Sequence, residues 1–315
     1  MKAKIFNIGI IGFGSIGRRH FNNLKKTKNI LSIYTSQNIV LKNTHIYKDV
    51  KSLIKNNDVI FICSRSNQHY EHLRICLNYN KHVYCEKPLT LSSIHLKNLT
   101  KHKNFKKILI FPGYQLRSSD LLEKFKRVRK NFNLGKIISY SGYVGQNLKS
   151  WRSNIDYKLS NTFIEKNSGG ILFELIHDID LIHQLTNKDI KSYNSLKVKS
   201  IFKKLTCDNI GVIFKLESNV IGSLQLDYIN NIPTRIVNLV FSKYNIFIDF
   251  NKSYIKINSN NLKKKFIVKQ NRNNIFIKHV NNFFELISNK KKFNNLSEFQ
   301  RNISYTKLIE KINEN

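Results

Sequence analysis

Proline and glycine are scarce, at 3 and 12 of 315 residues, so the chain is neither collagen-like nor a Pro-rich low-complexity polymer. Acidic side chains are scarce as well: 20 Asp and Glu stand against 54 Lys and Arg, a formal net charge of +34. Long apolar runs are absent; none approaches the roughly 20 residues needed to span a bilayer. Met1-Lys2-Ala3-Lys4 leads into a short apolar stretch that meets glycine at once, with no cleavage-site pattern, which does not read as a secretory signal. The four cysteines, Cys63, Cys76, Cys85 and Cys207, form no CxxC pair. Neither a zinc site nor a disulfide framework is expected, and the thiols read as reduced, in a cytoplasmic protein. What is plentiful is apolar mass, 41% hydrophobic and 11% aromatic. That is enough for packed cores and argues against intrinsic disorder. The length fits two domains.

The positive balance invites a nucleic-acid reading, because phosphate neutralisation dominates such binding. The distribution favours a blander origin. Lysines are spread over the whole chain beside abundant Asn and Ile, the residue types that an AT-rich coding sequence produces. Lys263-Lys264-Lys265 and Lys290-Lys291-Lys292 read as solvated turns. A solvated basic surface is expected and a nucleic-acid partner is not, although a positive field favours anionic substrates and cofactors.

Apolar periodicity divides the chain near residue 118. Before it, strands at 5–11, 30–34, 58–63, 82–85 and 108–114 alternate with helices at 15–26, 70–79 and 91–102, which predicts a doubly wound parallel sheet. The run Ile5 to Ile11 is nearly continuous, as in a strand buried on both faces. After 118 come a helix near 119–131, a strand at 137–146, a loop-like stretch at 148–168 and a helix at 170–185. Alternating strands fill 193–256 and two helices, near 275–289 and 297–313, finish the chain. Strands joined by short turns predict a mostly antiparallel sheet. The expected fold is therefore α/β, a Rossmann domain over 1–118 followed by a C-terminal α/β domain over 119–315.

Gly12-Phe13-Gly14-Ser15-Ile16-Gly17 follows the first strand and opens a helix. That context turns a weak G-x-G-x-x-G match into a dinucleotide fingerprint. Gly12 permits the sharp turn, Gly14 the close approach of a diphosphate, and Gly17 close helix–strand packing, with free N–H groups and the helix dipole favouring phosphate. Phe13, Ser15 and Ile16 complete the cofactor loop. An acidic residue at the end of the second strand marks NAD; here Tyr34-Thr35-Ser36-Gln37 stands there, with neither a carboxylate nor an arginine. NAD or NADP is thus open, with NAD as the default.

With this loop, Cys85-Glu86-Lys87-Pro88-Leu89, Ser66-Asn67-Gln68-His69 and Gly169-Gly170-Ile171-Leu172-Phe173-Glu174-Leu175-Ile176-His177-Asp178-Ile179-Asp180 in view, the chain resembles the Gfo/Idh/MocA family of nicotinamide-dependent sugar and polyol oxidoreductases. Gly113-Tyr114-Gln115-Leu116-Arg117, Trp151-Arg152, Asp156-Tyr157 and Leu226-Asp227-Tyr228 are similar to a branch often linked to bacterial surface-sugar pathways. The resemblance implies a Rossmann domain, a C-terminal domain whose sheet often forms the oligomer interface, and a sugar, polyol or sugar nucleotide as substrate. It implies Lys87 and His177 as catalytic residues, the lysine reaching the reacting oxygen and the histidine acting as general acid/base, a role that suits a group titrating near working pH. It places Ser64, Asn67, His69, Glu86 and Lys87 on the cofactor side.

Many relatives carry Asp four residues before that histidine; here Glu174 precedes it by three. Glu174, His177 and Asp180 are expected to share a helix face, with Glu174 near the substrate and Asp180 as the alternative carboxylate for orienting His177. Arg117, Trp151, Arg152 and Tyr157 are substrate-side candidates, because guanidinium suits carboxylate or phosphate and aromatic faces suit sugar rings. No metal is expected. A redox-assisted lyase or glycosidase of the same family and a non-catalytic cofactor sensor or nucleic-acid binder are the alternatives; retention of both Lys87 and His177 argues against a sensor.

Overall fold

The computed structural model describes residues 5–151, 156–160, 162–288 and 294–314. In chain order the elements are β1 Asn7–Ile11, α1 Ser15–Leu24, β2 Ile30–Tyr34, β3 His45–Tyr47, α2 Val50–Asn56, β4 Val59–Ile62, α3 His69–Asn78, β5 His82–Cys85, α4 Ser93–Thr100, β6 Ile110–Pro112, α5 Asp120–Asn131 and β7 Ile137–Gly145. They continue with α6 Glu165–Ser168, α7 Ile171–Glu174, α8 Ile176–Thr186, β8 Ile190–Val198, β9 Asn209–Leu216, β10 Ile221–Asp227, β11 Thr234–Phe241, β12 Asn245–Asp249, β13 Tyr254–Ser259, β14 Leu262–Ile267, α9 Arg272–Ser288 and α10 Asn295–Glu314. Two compact units result: residues 1–114 with 276–315, and residues 115–275.

In the first unit six strands form a parallel sheet in the order β3-β2-β1-β4-β5-β6. The near-continuous apolar strands are explained by two-sided burial. Ile11, Ile60, Ile62 and Val83 face a layer containing Leu53, Leu73, Leu96 and Phe299, from α2, α3, α4 and α10. Ile8, Ile10, Phe61 and Tyr84 face Phe21 of α1 with Val280 and Phe283 of α9.

The two last helices therefore belong to the first unit, not to a C-terminal domain running from 119 to 315. Their attachment is specific as well as apolar. The Asn295 side chain donates to the carbonyls of Phe105 at 3.1 Å and Ile108 at 2.5 Å, and accepts from Ile110 N at 3.2 Å, so it is stitched into the backbone at β6. Asn302 accepts from the Tyr114 hydroxyl at 2.8 Å. Glu310 satisfies the start of α4 through Ser93 N at 2.8 Å and Ser93 Oγ at 2.6 Å.

The second unit carries an eight-stranded sheet in the order β14-β13-β12-β11-β7-β10-β9-β8. All its pairings are antiparallel except β7 with β10, which are far apart in sequence and run parallel. One face buries Tyr140, Phe214, Leu224 and Leu226 on the side of α7 and α8. The other carries exposed Ile213 and Ile221 among polar residues.

The helix expected over 170–185 is two pieces. Leu175, at φ −99° and ψ 22°, leaves helical geometry between α7 and α8. Glu174 and His177 thus do not share one continuous helix, and the i, i+3 relation expected between them does not apply.

Candidate active site

The carboxyl ends of β1, β2, β4, β5 and β6 form one rim of the first unit. The rim carries in turn the glycine loop, the turn 35–37, Ser64, Lys87 and Gly113. Ligands of doubly wound sheets bind on this rim.

The glycines behave as a dinucleotide loop requires. Gly12 has φ +92°, and a Cβ there would lie 2.7 Å from the Cys63 carbonyl oxygen. A Cβ on Gly17 would overlap the Gly12 carbonyl oxygen, so α1 can start this close to β1 only with glycine at that position. Gly14, at the N-cap of α1, has nothing within 4 Å of its Cβ direction. That open approach, a first helical turn without acidic residues and the helix dipole fit a dinucleotide diphosphate. Ser15 is exposed and Ile16 half-buried, but Phe13 is only 3% exposed and packs edge-on against Phe21 at 5.3 Å. Phe13 can therefore offer the cofactor its backbone, not its ring.

Lys87 lies two residues beyond β5 in a loop held from both sides. Before it, Glu86 donates its amide to Ile62 O at 2.9 Å, and its carboxylate lies 2.8 Å from Nε2 of His20. Both residues are buried, His20 completely. Behind the loop Gly113 leaves room: a Cβ there would lie 3.0 Å from Glu86 Oε2. After it, the Lys87-Pro88 peptide is cis, and Pro88 O sits 2.7 Å from Nδ1 of His69. Lys87 itself is half-buried.

His69, expected at the cofactor, is 1% exposed, with Nδ1 on Pro88 O and Nε2 3.1 Å from Ser64 O. A neutral imidazole donates through one nitrogen only, and burial holds its pKa below the ordinary value. With carbonyls against both nitrogens, His69 ties the β4 and β5 loops together and offers no ring atom to a ligand. Ser64 Oγ pairs with Nδ1 of His72 at 3.0 Å. Burial, helped by His69, brings the His72 pKa down to about 4. Asn67 is exposed on the turn 66–68.

In the second unit His177 is 7% exposed at the start of α8. Three carboxylates stand close to it in sequence, Glu174, Asp178 and Asp180. Asp180 takes a bidentate pair from Arg117, at 2.8 Å to Nε and 2.6 Å to Nη2. Asp178 pairs with Arg235 of β11 at 3.0 Å. Glu174 accepts from Thr162 Oγ1 at 3.1 Å. Arg117, expected to meet substrate, is instead committed to Asp180, both groups being largely buried.

Trp151 lies against Tyr228 with ring centroids 5.8 Å apart. Tyr157 packs edge-on to Phe163 and Phe202 at 5.3 and 5.6 Å, which is a structural cluster. Arg152 lies outside the described residues. Burial and the nearby charges of Glu174 and Glu165 push the Tyr228 hydroxyl well above its ordinary pKa. Among the described residues no group of three His, Cys, Asp or Glu could hold a metal ion.

Sequence reading missed His20, Arg18 and Arg235. His20 follows Gly17 by three residues, so helical spacing alone placed it on the sheet-facing side of α1. Arg18 sits on α1, away from the stretch after β2 where a cofactor-reading arginine is sought; its Nη2 donates to Gln37 Oε1 at 2.7 Å.

Residues 6–114 match the model of an oxidoreductase family with an NAD-binding Rossmann fold, Gfo/Idh/MocA. The chain is similar to the myo-inositol 2-dehydrogenase of Thermotoga maritima, 26% identical over 68% of this chain and 66% of that protein. It is 29% identical to the inositol 2-dehydrogenase of Salmonella typhimurium over 58% of this chain and 55% of that protein. The matched stretch thus spans less than two thirds of either relative. Among solved structures, levoglucosan dehydrogenase in complex with NADH superposes with a TM-score of 0.84 at 15% identity, covering 99% of this chain and 96% of that one. The UDP-N-acetylglucosamine 3-dehydrogenase of Acidithiobacillus ferrooxidans does so at 0.80 and 14%, covering 99% and 97%. No helix among the described residues is long and apolar enough to cross a membrane. Residues 6–114 thus carry the NAD-binding Rossmann fold of the Gfo/Idh/MocA oxidoreductase family, and the whole chain shares the fold of these solved dehydrogenases.

Proposed function

We propose that the chain is a nicotinamide-dependent oxidoreductase acting on a hydroxyl-bearing carbon, or the matching ketone, of a sugar, polyol or sugar nucleotide. The observation that carries this reading lies within the first unit. The open glycine loop and a lysine pinned on both sides stand on the same rim of one parallel sheet. An ordinary surface lysine needs no buried His–Glu pair and no buried His–carbonyl tie to fix its loop.

Gly12, Gly14 and Ser15 would hold the diphosphate, chiefly through backbone N–H groups, and Gly17 lets α1 start close enough for that. When bound, the nicotinamide supplies the hydride acceptor or donor. Lys87 offers its ammonium to the reacting oxygen and stabilises negative charge developing there. His177 takes the hydroxyl proton in oxidation and returns it in reduction. Glu174, which accepts from Thr162 Oγ1, is the carboxylate assigned to the substrate side. Asp180 is assigned a structural role because Arg117 neutralises it. The inositol dehydrogenases among the relatives and the sugar and sugar-nucleotide dehydrogenases among the structural neighbours support this substrate class. The open face of the second unit's sheet, with Ile213 and Ile221 exposed, is assigned to self-association, which light scattering in solution tests.

The test is NAD(P)H absorbance against a panel of inositols, free sugars and nucleotide sugars. Lys87→Ala and His177→Ala should each lose at least about a hundredfold in kcat while still binding cofactor. Near-full turnover by either variant removes its assigned role.

A further inference from the structure

The family model describes an NAD-binding fold, yet the adenosine end of the rim lacks what NAD recognition uses. In Rossmann domains the ribose 2′-hydroxyl is met by a carboxylate after the second strand, whereas a 2′-phosphate is met by an arginine nearby. Tyr34-Thr35-Ser36-Gln37 contains no carboxylate, and a guanidinium is at hand. Arg18 Nε donates to Phe13 O at 3.1 Å and Nη2 to Gln37 Oε1 at 2.7 Å. Its guanidinium carbon sits 4.8 Å over the Phe13 ring. The exposed group is thus bonded to both the glycine loop and the turn.

The turn is tied to the loop by Gly12 N donating to Tyr34 O at 2.8 Å. Thr35 Oγ1 shapes it by accepting from Gln37 N at 3.1 Å. Ser36 is exposed beside it. The two bonds of Arg18 leave further N–H groups of its fork uncommitted, and a guanidinium fork matches a phosphate geometrically and electrostatically.

We propose that Arg18 and the turn 35–37 form a 2′-phosphate site, so that this chain binds NADP(H) in preference to NAD(H). The proposal rests on the glycine loop being the diphosphate site. Gln37 acts as a neutral tether that keeps Arg18 in place without neutralising it. The net charge of +34 adds a long-range bias toward the more anionic nucleotide.

Calorimetric titration of the full chain with NADP+, NAD+, 2′,5′-ADP and 5′-AMP tests this. Wild-type protein should bind NADP+ at least about tenfold more tightly than NAD+, one charge-assisted hydrogen bond being sufficient for that ratio. Arg18→Ala should lower 2′,5′-ADP affinity by about ten- to a hundredfold and change 5′-AMP affinity by less than about threefold. Gln37→Glu, nearly isosteric, should produce the same selective loss by pairing Arg18 with a carboxylate. Tight NAD+ binding with weaker NADP+ binding overturns the proposal and leaves the oxidoreductase reading intact. Equal loss of both mononucleotides in Arg18→Ala overturns it too, since Arg18 would then serve the loop as a whole. If neither dinucleotide binds, both readings fall.

Discussion

His72 makes the first unit acid-sensitive by an amount the structure sets. The ring sits on α3, 8% exposed, with Nδ1 at the Ser64 hydroxyl. Burial first, and then the neighbouring His69, lower its pKa from 6.5 to about 4, against an opposing contribution from Glu71. A histidine that charges at about 6.5 in the unfolded chain and at about 4 in the folded one leaves the unfolded state holding more protons between those values. Stability is therefore complete above pH 6.5 and falls as pH drops toward 4. Taken over the whole interval the loss is about 3 kcal/mol, and about 2 kcal/mol of it arises between pH 7 and pH 5.

His72→Gln offers Ser64 a hydrogen-bonding partner but cannot titrate. Hydrogen exchange of the β4 and β5 amides at increasing urea reads the stability of this unit. The wild type should lose about 2 kcal/mol more than the variant between pH 7 and pH 5. His69, whose pKa is lowered in the same direction, is present in both proteins and its contribution largely cancels in the comparison. Equal pH dependence of the two proteins, to within about 0.5 kcal/mol, would falsify the assignment of the acid transition to His72.

Other perturbations have equally definite outcomes. Asn295→Ala leaves Ile110 N and the carbonyls of Phe105 and Ile108 without their shared partner and should cost about 2–4 kcal/mol in urea unfolding. Asp180→Ala strands a largely buried Arg117 and should destabilise the second unit by about 3 kcal/mol. Arg117→Met with Asp180→Leu should recover most of that in thermal denaturation, because the pair is structural. Gly17→Ala forces the start of α1 off the Gly12 carbonyl; dinucleotide affinity measured by calorimetry should drop at least tenfold, about 1.4 kcal/mol.

The parts of the molecule legible in its sequence are those dictated locally. The glycine spacing after an apolar strand announces β1, its turn and α1, and β2 and β5 fall where their apolar runs lie. Lys263-Lys264-Lys265, which reads as a solvated turn, lies instead within β14, Lys290-Lys291-Lys292 lies outside the described residues, and three further features were not legible. The strand His45-Ile46-Tyr47 is three residues long and gains its identity only by pairing with β2. The break at Leu175 interrupts an apolar pattern, Ile171-Leu172-Phe173 to Ile176, that continues across it without a proline or glycine. The allegiance of α9 and α10 depends on which core their apolar faces meet, and periodicity reports that a face exists, not what covers it. In the candidate site the loop motifs were visible as strings. The commitments of Arg117 to Asp180 and of His69 to two carbonyls are pairings across 63, 5 and 19 residues, settled by folding rather than by spacing.

The return of the chain to its first sheet has a consequence for how the protein is made. Residues 115–275 are synthesised between the two parts of the first unit, a delay of about ten to thirty seconds at ordinary ribosomal speeds. Throughout that interval Phe61, Tyr84 and Phe111, which α9 later covers with Phe283, have no permanent lid. A nascent chain halted near residue 118 would thus present a sticky aromatic surface suited to a holding chaperone, and a gene fragment ending there should yield inclusion bodies. Grafting 276–315 directly behind residue 114 should give a soluble nucleotide-binding module.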